Sequence, residues 1–282
     1  MVTESQILNL IRKITPNSKE YLYDDAAIIE KNLIVTTDTL VENTHFTLKD
    51  YTPREIGWKA LAVNLSDIAA MGGKPLYTLV SLSIPRNIKL TWIKRFCKGI
   101  VNCAKKYKTK IVGGNLAKSK EINISITLIG KLISKNIAKR KNAKVGDFVF
   151  VTGKFGNILI SKKPIPQILL GQKIVKLTKR VALMDSSDGL ADCLIQISNQ
   201  SKVKIITYEN KIPIAKDLKA ALYAGEDYQL VGTASKNDCN KLIKNKNIKI
   251  IGDVFKGKGT FLKQKNNKLV KLDMKKGYEH FK

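Results

Sequence analysis

Apolar residues in this chain come in short bursts separated by turn and charge signals, and no run approaches the roughly 20 residues that a membrane-spanning helix requires. That spacing restricts the fold to packed layers of short strands and amphipathic helices. Thr3 stands at the cap position of a helical stripe formed by Ile7, Leu8, Leu10 and Ile11, which Pro16 ends. Ala26–Ile29 and Leu33–Thr37 read as strands turned at Lys31-Asn32. Pro53 opens a second helical pattern through Ile56, Ala60, Val63 and Ile68, and Gly72-Gly73 stops it. Leu76–Ile84 then reads as a strand, Trp92–Lys106 as a helix, Ile111-Val112 as a short strand entering Gly113-Gly114, and Ile122–Leu132 as another strand.

Polarity rises across Ser134–Lys144 before Phe148–Val151 resumes a buried-strand pattern that ends at Thr152-Gly153. Beyond it the pattern predicts a helix after Asp188-Gly189 and another near Lys236–Lys244. It also predicts strands at Val203–Thr207, Tyr228–Thr233, Ile248–Val254 and Thr260–Leu262. With 282 residues and typical domains of roughly 100–200, the expectation is a two-domain α/β (α+β) protein divided into residues 1–140 and 141–282.

The chain carries 51 Lys and Arg against 23 Asp and Glu, a formal net charge of +28. Such a balance raises the question of nucleic acid. The arginines suited to bidentate recognition are only Arg12, Arg54, Arg86, Arg95, Arg140 and Arg180, and the lysines are spread rather than clustered. A solvated lysine surface is the better reading, with no nucleic-acid or membrane partner. Met1-Val2-Thr3-Glu4-Ser5-Gln6 lacks the basic start and apolar run of a secretory leader, so the expected location is the cytoplasm. Cys97, Cys103, Cys193 and Cys239 form no C-x-x-C pair and read as reduced thiols, and His45 and His280 are too few for a local zinc motif.

Against this basic background, carboxylates recur beside hydroxyl and small residues: Asp24-Asp25, Thr36-Thr37-Asp38, Ser66-Asp67 and Asp185-Ser186-Ser187-Asp188. Taken singly, each is explained by helix capping or a solvent-facing turn, and Asp188 could simply cap the helix after Gly189. Together they form a set of hard oxygen donors of the kind magnesium uses with nucleotide phosphates. A GxxxxGK phosphate loop is absent, as are the HRD and DFG elements of protein kinases. Gly113-Gly114 allows close backbone approach to a phosphate or, equally, an ordinary strand-ending turn.

The ordered motifs resemble the thiamine-monophosphate kinase family of the aminoimidazole-ribonucleotide-synthetase-like superfamily. The resemblance rests on Thr36-Thr37-Asp38-Thr39-Leu40-Val41, on His45-Phe46, and on the run from Lys59 to Gly72. Gly225-Glu226-Asp227-Tyr228 and the terminal Gly277-Tyr278-Glu279-His280-Phe281 follow in the same order. It implies an N-terminal mixed-sheet domain that binds ATP and magnesium and forms a homodimer, closed on one side by a C-terminal α/β domain. Asp25, Thr36, Thr37, Asp38, Asp67, Asp185 and Asp188 become magnesium ligands for several ions. Gly114, Asn115, Arg140 and Ser187 become ATP contacts, and His45, Glu226 and Tyr278 contacts to thiamine monophosphate.

The implied reaction is in-line transfer of a phosphoryl group from ATP to an acceptor phosphate that is already ionised, with Asp38, Asp67 and Arg140 at the reacting centre and no strong general base. The sequence departs from the family pattern in four places. Tyr23 precedes Asp24-Asp25 where Gly is common, and Asn115 stands where many members have Asp. Asp185-Ser186-Ser187-Asp188 has a serine where an apolar residue is usual, and the stretch from Gly153 to Asp185 is short. The competing readings are another ATP-using member of the superfamily and a lysine-rich nucleic-acid binder on a degenerate scaffold.

Overall fold

The computed structural model describes residues 3–16, 18–30, 32–157, 162–274 and 277. Helix α1 (Glu4–Ile14) begins with a reciprocal cap, the Thr3 hydroxyl accepting the Gln6 N–H while the Gln6 side chain accepts the Thr3 N–H. A short helix α2 (Ser18–Tyr21) leads to the hairpin of β1 (Ala27–Ile29) and β2 (Leu33–Val41). β2 runs past its expected end at Thr37 because β5 (Asn123–Leu132) pairs with it along its whole length, from Leu33 opposite Lys131 to Val41 opposite Asn123. β3 (Gly73–Ile84) lies antiparallel to β5 and parallel to β4 (Lys110–Lys118), giving the order β1-β2-β5-β3-β4.

The expectation that the strand ends in a turn at Gly113-Gly114 is corrected: both glycines lie inside β4. The glycine is required at 114 by close approach to the neighbouring strand, since a Cβ there would sit 1.8 Å from the Val80 carbonyl oxygen.

One face of this sheet is covered by α3 (Pro53–Ala70) and α4 (Leu90–Tyr107). The Thr52 hydroxyl caps α3 and Pro53 fills its first turn. The two helices touch backbone to backbone. A Cβ on Gly57 would meet the Phe96 carbonyl oxygen at 2.2 Å, and one on Gly99 would meet the Arg54 carbonyl oxygen at 2.2 Å. The other face is open, and together with the β4 edge it exposes Tyr77, Leu79, Ile111, Val112 and Leu116.

The second sheet is built from β6 (Phe148–Thr152), β7 (Val181–Asp185), β8 (Lys204–Tyr208), β9 (Leu230–Ala234), β10 (Ile248–Phe255), β11 (Gly259–Lys263) and β12 (Leu269–Lys271). Its order is β12-β11-β8-β10-β6-β9-β7, antiparallel throughout except for β8 and β11. α5 (Ile168–Leu177) and α8 (Lys236–Leu242) pack on the side facing α3, and α6 (Leu190–Ser201) with α7 (Leu218–Tyr223) on the other. The sequence pattern did not predict α5, α7, β7 or β12. In the case of β7 the apolar run is too short to separate a buried strand from a buried helix turn.

α3 is the shared element. Its Ile56, Leu61, Leu65 and Ile68 belong to one continuous core with Ile174 and Val175 of α5, Leu183 of β7 and Leu230 of β9. Fourteen of its 18 residues are buried, Lys59, Asn64 and Ser66 among them. Among the described residues no helix is long and apolar enough to cross a membrane.

Gly99→Ala forces α3 and α4 apart or strains their backbones, and is expected to destabilise the protein by about 1–3 kcal/mol. The measurement is the melting temperature, and an unchanged value would show that the helix pair yields freely at this contact.

Candidate active site

The site forms where the ends of β2, α3 and β7 meet. Asp38 on β2 is tied to α3 by its own backbone, its N–H donating to Asn64 Oδ1 at 3.1 Å, while Asn64 Nδ2 donates to the Ala60 carbonyl at 3.1 Å. One turn on, Asp67 accepts a short hydrogen bond from the Thr36 hydroxyl. β7 ends at Asp185, and the chain turns through Ser186, Ser187 and Asp188 into α6.

The N-cap of that helix is Gly189, in a left-handed conformation at φ 100°, and it makes no side-chain cap. The alternative that Asp188 merely caps the helix is therefore excluded. Its carboxylate instead accepts from the Ser187 hydroxyl at 2.9 Å and faces the cleft. The Ser186 hydroxyl is buried without a hydrogen-bond partner.

Asp25, in the loop before β1, completes a cluster in which one carboxylate oxygen each from Asp25, Asp67 and Asp185 lie within 4.8 Å of one another. Arg140, in a single 3-10 turn after β5, grips Asp25 with two bonds, Nη2 to Oδ1 at 3.0 Å and Nε to Oδ2 at 3.3 Å. Its remaining guanidinium nitrogen Nη1 donates to Gln196, and its backbone N–H donates to Asp24 Oδ1 at 2.9 Å.

Burial and mutual repulsion make Asp67, Asp185 and Asp38 reluctant to ionise. Burial pushes the Asp67 carboxyl well up, helped by the charges of Asp38, Asp185 and Asp25. Asp185 is raised by burial and then by Asp25. Asp38 is pushed up to about 6, by burial first and then by Asp188 and Asp25. Asp192, on α6 behind the cluster, is likewise pushed up to about 6 by burial and by Asp188. Closely spaced carboxylate oxygens with too little positive charge among them, beside the hydroxyls of Thr36 and Thr37, fit a hard divalent cation such as magnesium.

Asp67 and Asp185 of the cluster line a cleft of about 800 Å³ together with Thr37, Asp38, His45, Ser187, Asp188, Glu226 and Tyr228. His45 Nδ1 accepts the Val41 N–H at 3.0 Å, which puts the imidazole proton on Nε2. Glu226 and Tyr228 both adopt left-handed backbone conformations, at φ 57° and 49°. Their N–H groups donate to the Ser187 and Ser186 carbonyls at 2.6 and 3.0 Å, folding this loop onto the Asp185–Asp188 turn. Asp227 points the other way, accepting the Gly156 and Asn157 N–H groups.

Of the residues singled out by sequence, Thr37, Asp38, His45, Asp67, Asp185, Ser187, Asp188 and Glu226 line this cleft, while Thr36 bonds Asp67 and Asp25 joins Asp67 and Asp185 from behind, with Arg140 behind Asp25. Gly114 and Asn115 do not line it. They lie on the edge strand β4, three strands from β2, about 14 Å at ordinary strand spacing. Asn115 shares the open sheet face with the cleft, in the cross-strand row Thr39, Ser125, Ser81, Asn115. Tyr278 lies outside the described residues. Sequence reasoning missed Lys59, Tyr228, Asp192 and Gln196. For Lys59 a signal existed: it sits three residues after Ile56 and four before Val63, a charge inside the apolar stripe.

Residues 23–132, which hold the first sheet with α3 and α4, match the family model described as AIR synthase related protein, N-terminal domain, and this gives the class of that part of the fold. The thiamine-monophosphate kinase of Aquifex aeolicus (strain VF5) is 34% identical over 313 residues, spanning 99% of this chain and 98% of that protein. That of Bacillus subtilis (strain 168) is 34% identical over 323 residues, spanning 97% and 99%. A solved structure of AaThiL complexed with AMPPCP and TMP, 32% identical, matches with a TM-score of 0.88 over 99% of this chain and 97% of that one. The chain belongs to the thiamine-monophosphate kinase family.

A carboxyl held above its unfolded value of 3.8, as Asp38 is at about 6, contributes stability that is complete below pH 3.8 and is lost as pH rises through 6. A cation that needs the ionised oxygens reverses the loss. The magnesium-induced rise in melting temperature is therefore expected to be small at pH 5 and to grow by pH 7.5. Thermal melts with magnesium and with EDTA across that range check it, and a rise independent of pH counts against the cluster as the cation site.

Proposed function

We propose that this protein is an ATP-dependent thiamine-monophosphate kinase, transferring the γ-phosphoryl group of ATP to the phosphate of thiamine monophosphate to give thiamine diphosphate and ADP. The observation that carries this reading is the cluster of Asp25, Asp67 and Asp185 beside a cleft whose acceptor wall holds His45 and Glu226. Membership of the kinase family gives the cleft its two reactants.

The residues divide by side of the cleft. Asp25, Thr36, Thr37, Asp38, Asp67, Asp185 and Asp188 are proposed to hold several magnesium ions, which when bound supply positive charge to the phosphate oxygens. The Thr36 hydroxyl orients Asp67, and Arg140 orients Asp25. The Arg140 guanidinium uses three of its five N–H groups on Asp25 and Gln196, which leaves one on each Nη for a nucleotide phosphate. Ser187 faces the nucleotide, with Gly114 and Asn115 reached along the open sheet face.

On the acceptor side, His45 Nε2–H and the Glu226 carboxylate orient thiamine monophosphate, with Tyr278 as the aromatic contact. The acceptor phosphate is ionised near neutral pH, so the chain has to align and neutralise two anions rather than remove a proton. We assign residues 1–140 to the ATP-binding and dimerisation domain, residues 141–282 to the domain that closes the cleft, and the protein to the cytoplasm. The exposed apolar side chains on the open face of the first sheet support a homodimer formed by a second copy there.

Mass-resolved analysis of purified protein with ATP, magnesium and thiamine monophosphate is expected to yield thiamine diphosphate, dependent on both magnesium and acceptor. No product from folded protein over a range of magnesium concentrations would overturn the reading. Asp67→Asn is expected to lower kcat by about 100-fold or more while raising the melting temperature of the metal-free protein, because it removes a buried, repelled charge. A variant with full turnover at limiting magnesium would remove Asp67 from the ligand set. Leu79→Glu places charge on the open face and is expected to shift sedimentation from dimer to monomer; an unchanged profile would move the interface elsewhere.

A further inference from the structure

Lys59 is the most buried charged side chain in the described protein, wholly enclosed within α3, and no role follows for it from the metal cluster. A lysine in such a place persists only if its ammonium is fully partnered. Its Nζ donates to three groups, the Glu226 carboxylate at 2.6 Å, the His45 carbonyl at 2.9 Å and the Tyr51 hydroxyl at 3.3 Å. It also lies 5.0 Å from the centre of the Tyr51 ring. Two of these partners belong to the loop between β2 and α3, and the third comes from the second sheet's loop, 167 residues away.

The two residues that wall the acceptor side of the cleft thus hang on one ammonium group. Glu226 is about one-third exposed, with its free edge in the cleft. His45 is held from behind through its carbonyl, while its ring is oriented by the Val41 N–H.

We infer that Lys59 is the positioning residue of the acceptor side, a buried cation that fixes the Glu226 carboxylate and the His45 loop relative to one another across the two sheets. The inference rests on the kinase reading for the identity of the acceptor, but not for the geometry. Lys59 also balances the charge of Glu226. Without it, Glu226 is a further uncompensated carboxylate facing an anionic acceptor, beside Asp38, Asp67, Asp185 and Asp188. Lys59 touches no reactant, so its removal acts on acceptor binding and leaves the nucleotide side in place.

The test is steady-state kinetics of Lys59→Met, Glu226→Gln and the double variant with ATP and thiamine monophosphate. Lys59→Met is expected to raise KM for thiamine monophosphate at least 10-fold, with KM for ATP within about twofold and kcat at saturating acceptor within about threefold. The double variant is expected to be no worse than the poorer single variant, because both changes break one interaction. Equal rises in both KM values, a fall in kcat alone, or additive losses overturn the inference.

Lys59→Gln keeps a hydrogen-bonding end in the same space and serves if Lys59→Met yields no folded protein. An acceptor KM raised about threefold is expected, and an unchanged one overturns the proposal. If the wild type has no kinase activity, it is the kinase reading that fails. The positioning role is then read from a crystal structure of the lysine variant without ligands. Displacement of Glu226 and residues 44–51, with Asp25, Asp67 and Asp185 unmoved, sustains it, and an unchanged Glu226 conformation sinks it.

Discussion

The burial of α3 on nearly every side is the constraint from which the rest of the structure follows. A helix that packs on one sheet needs only one apolar stripe, but α3 is covered by the first sheet and α4 on one side and by α5 and β7 on the other. Most of the polar residues on its buried stretch therefore find partners inside, and the Ser66 hydroxyl is left without one. Asn64 binds the backbone of β2, Asp67 takes the Thr36 hydroxyl, and Lys59 reaches the Glu226 loop. The site consists largely of the solutions to that problem.

The charge economy of the cleft runs opposite to that of the molecule. A chain with a net charge of +28 brings Asp25, Asp67 and Asp185 together, and among the described residues Arg140 is the cation paired with that cluster. Asp67 and Asp185 are left repelling one another in a buried setting, which is unfavourable for the empty protein and favourable for binding a cation. Lys59 is the exception among the described lysines, wholly buried and paired with Glu226 rather than solvated at the surface.

Residues 162–164, between strands β6 and β7 of the second sheet, are secured against α3 and the loop before it. The Trp58 indole N–H donates to the Pro164 carbonyl at 2.8 Å, and the ammonium groups of Lys162 and Lys163 lie over the rings of Tyr51 and Trp58. These contacts fall beside the loop that carries His45. This segment is thus anchored on α3, next to the part of the cleft that holds His45.

The sequence by itself determined the alternation of elements, the cap at Thr3, the helix opening at Pro53 and the oxygen-bearing motifs, because these depend on neighbours within a few residues. It named nearly all the carboxylates of the site, since an acid beside a hydroxyl in a basic chain is conspicuous without any fold. It could not distinguish β7 from a helical turn, nor see that β4 continues through Gly113-Gly114, because strand pairing with a distant partner decides both. Only the tertiary structure decided which groups face each other. It released Asp188 from capping by giving Gly189 that position, bound Arg140 to Asp25, and set Lys59 between His45 and Glu226. The physical reason is that a buried charge is satisfied by whatever folding brings within hydrogen-bond reach, and here that partner stands as many as 167 residues away.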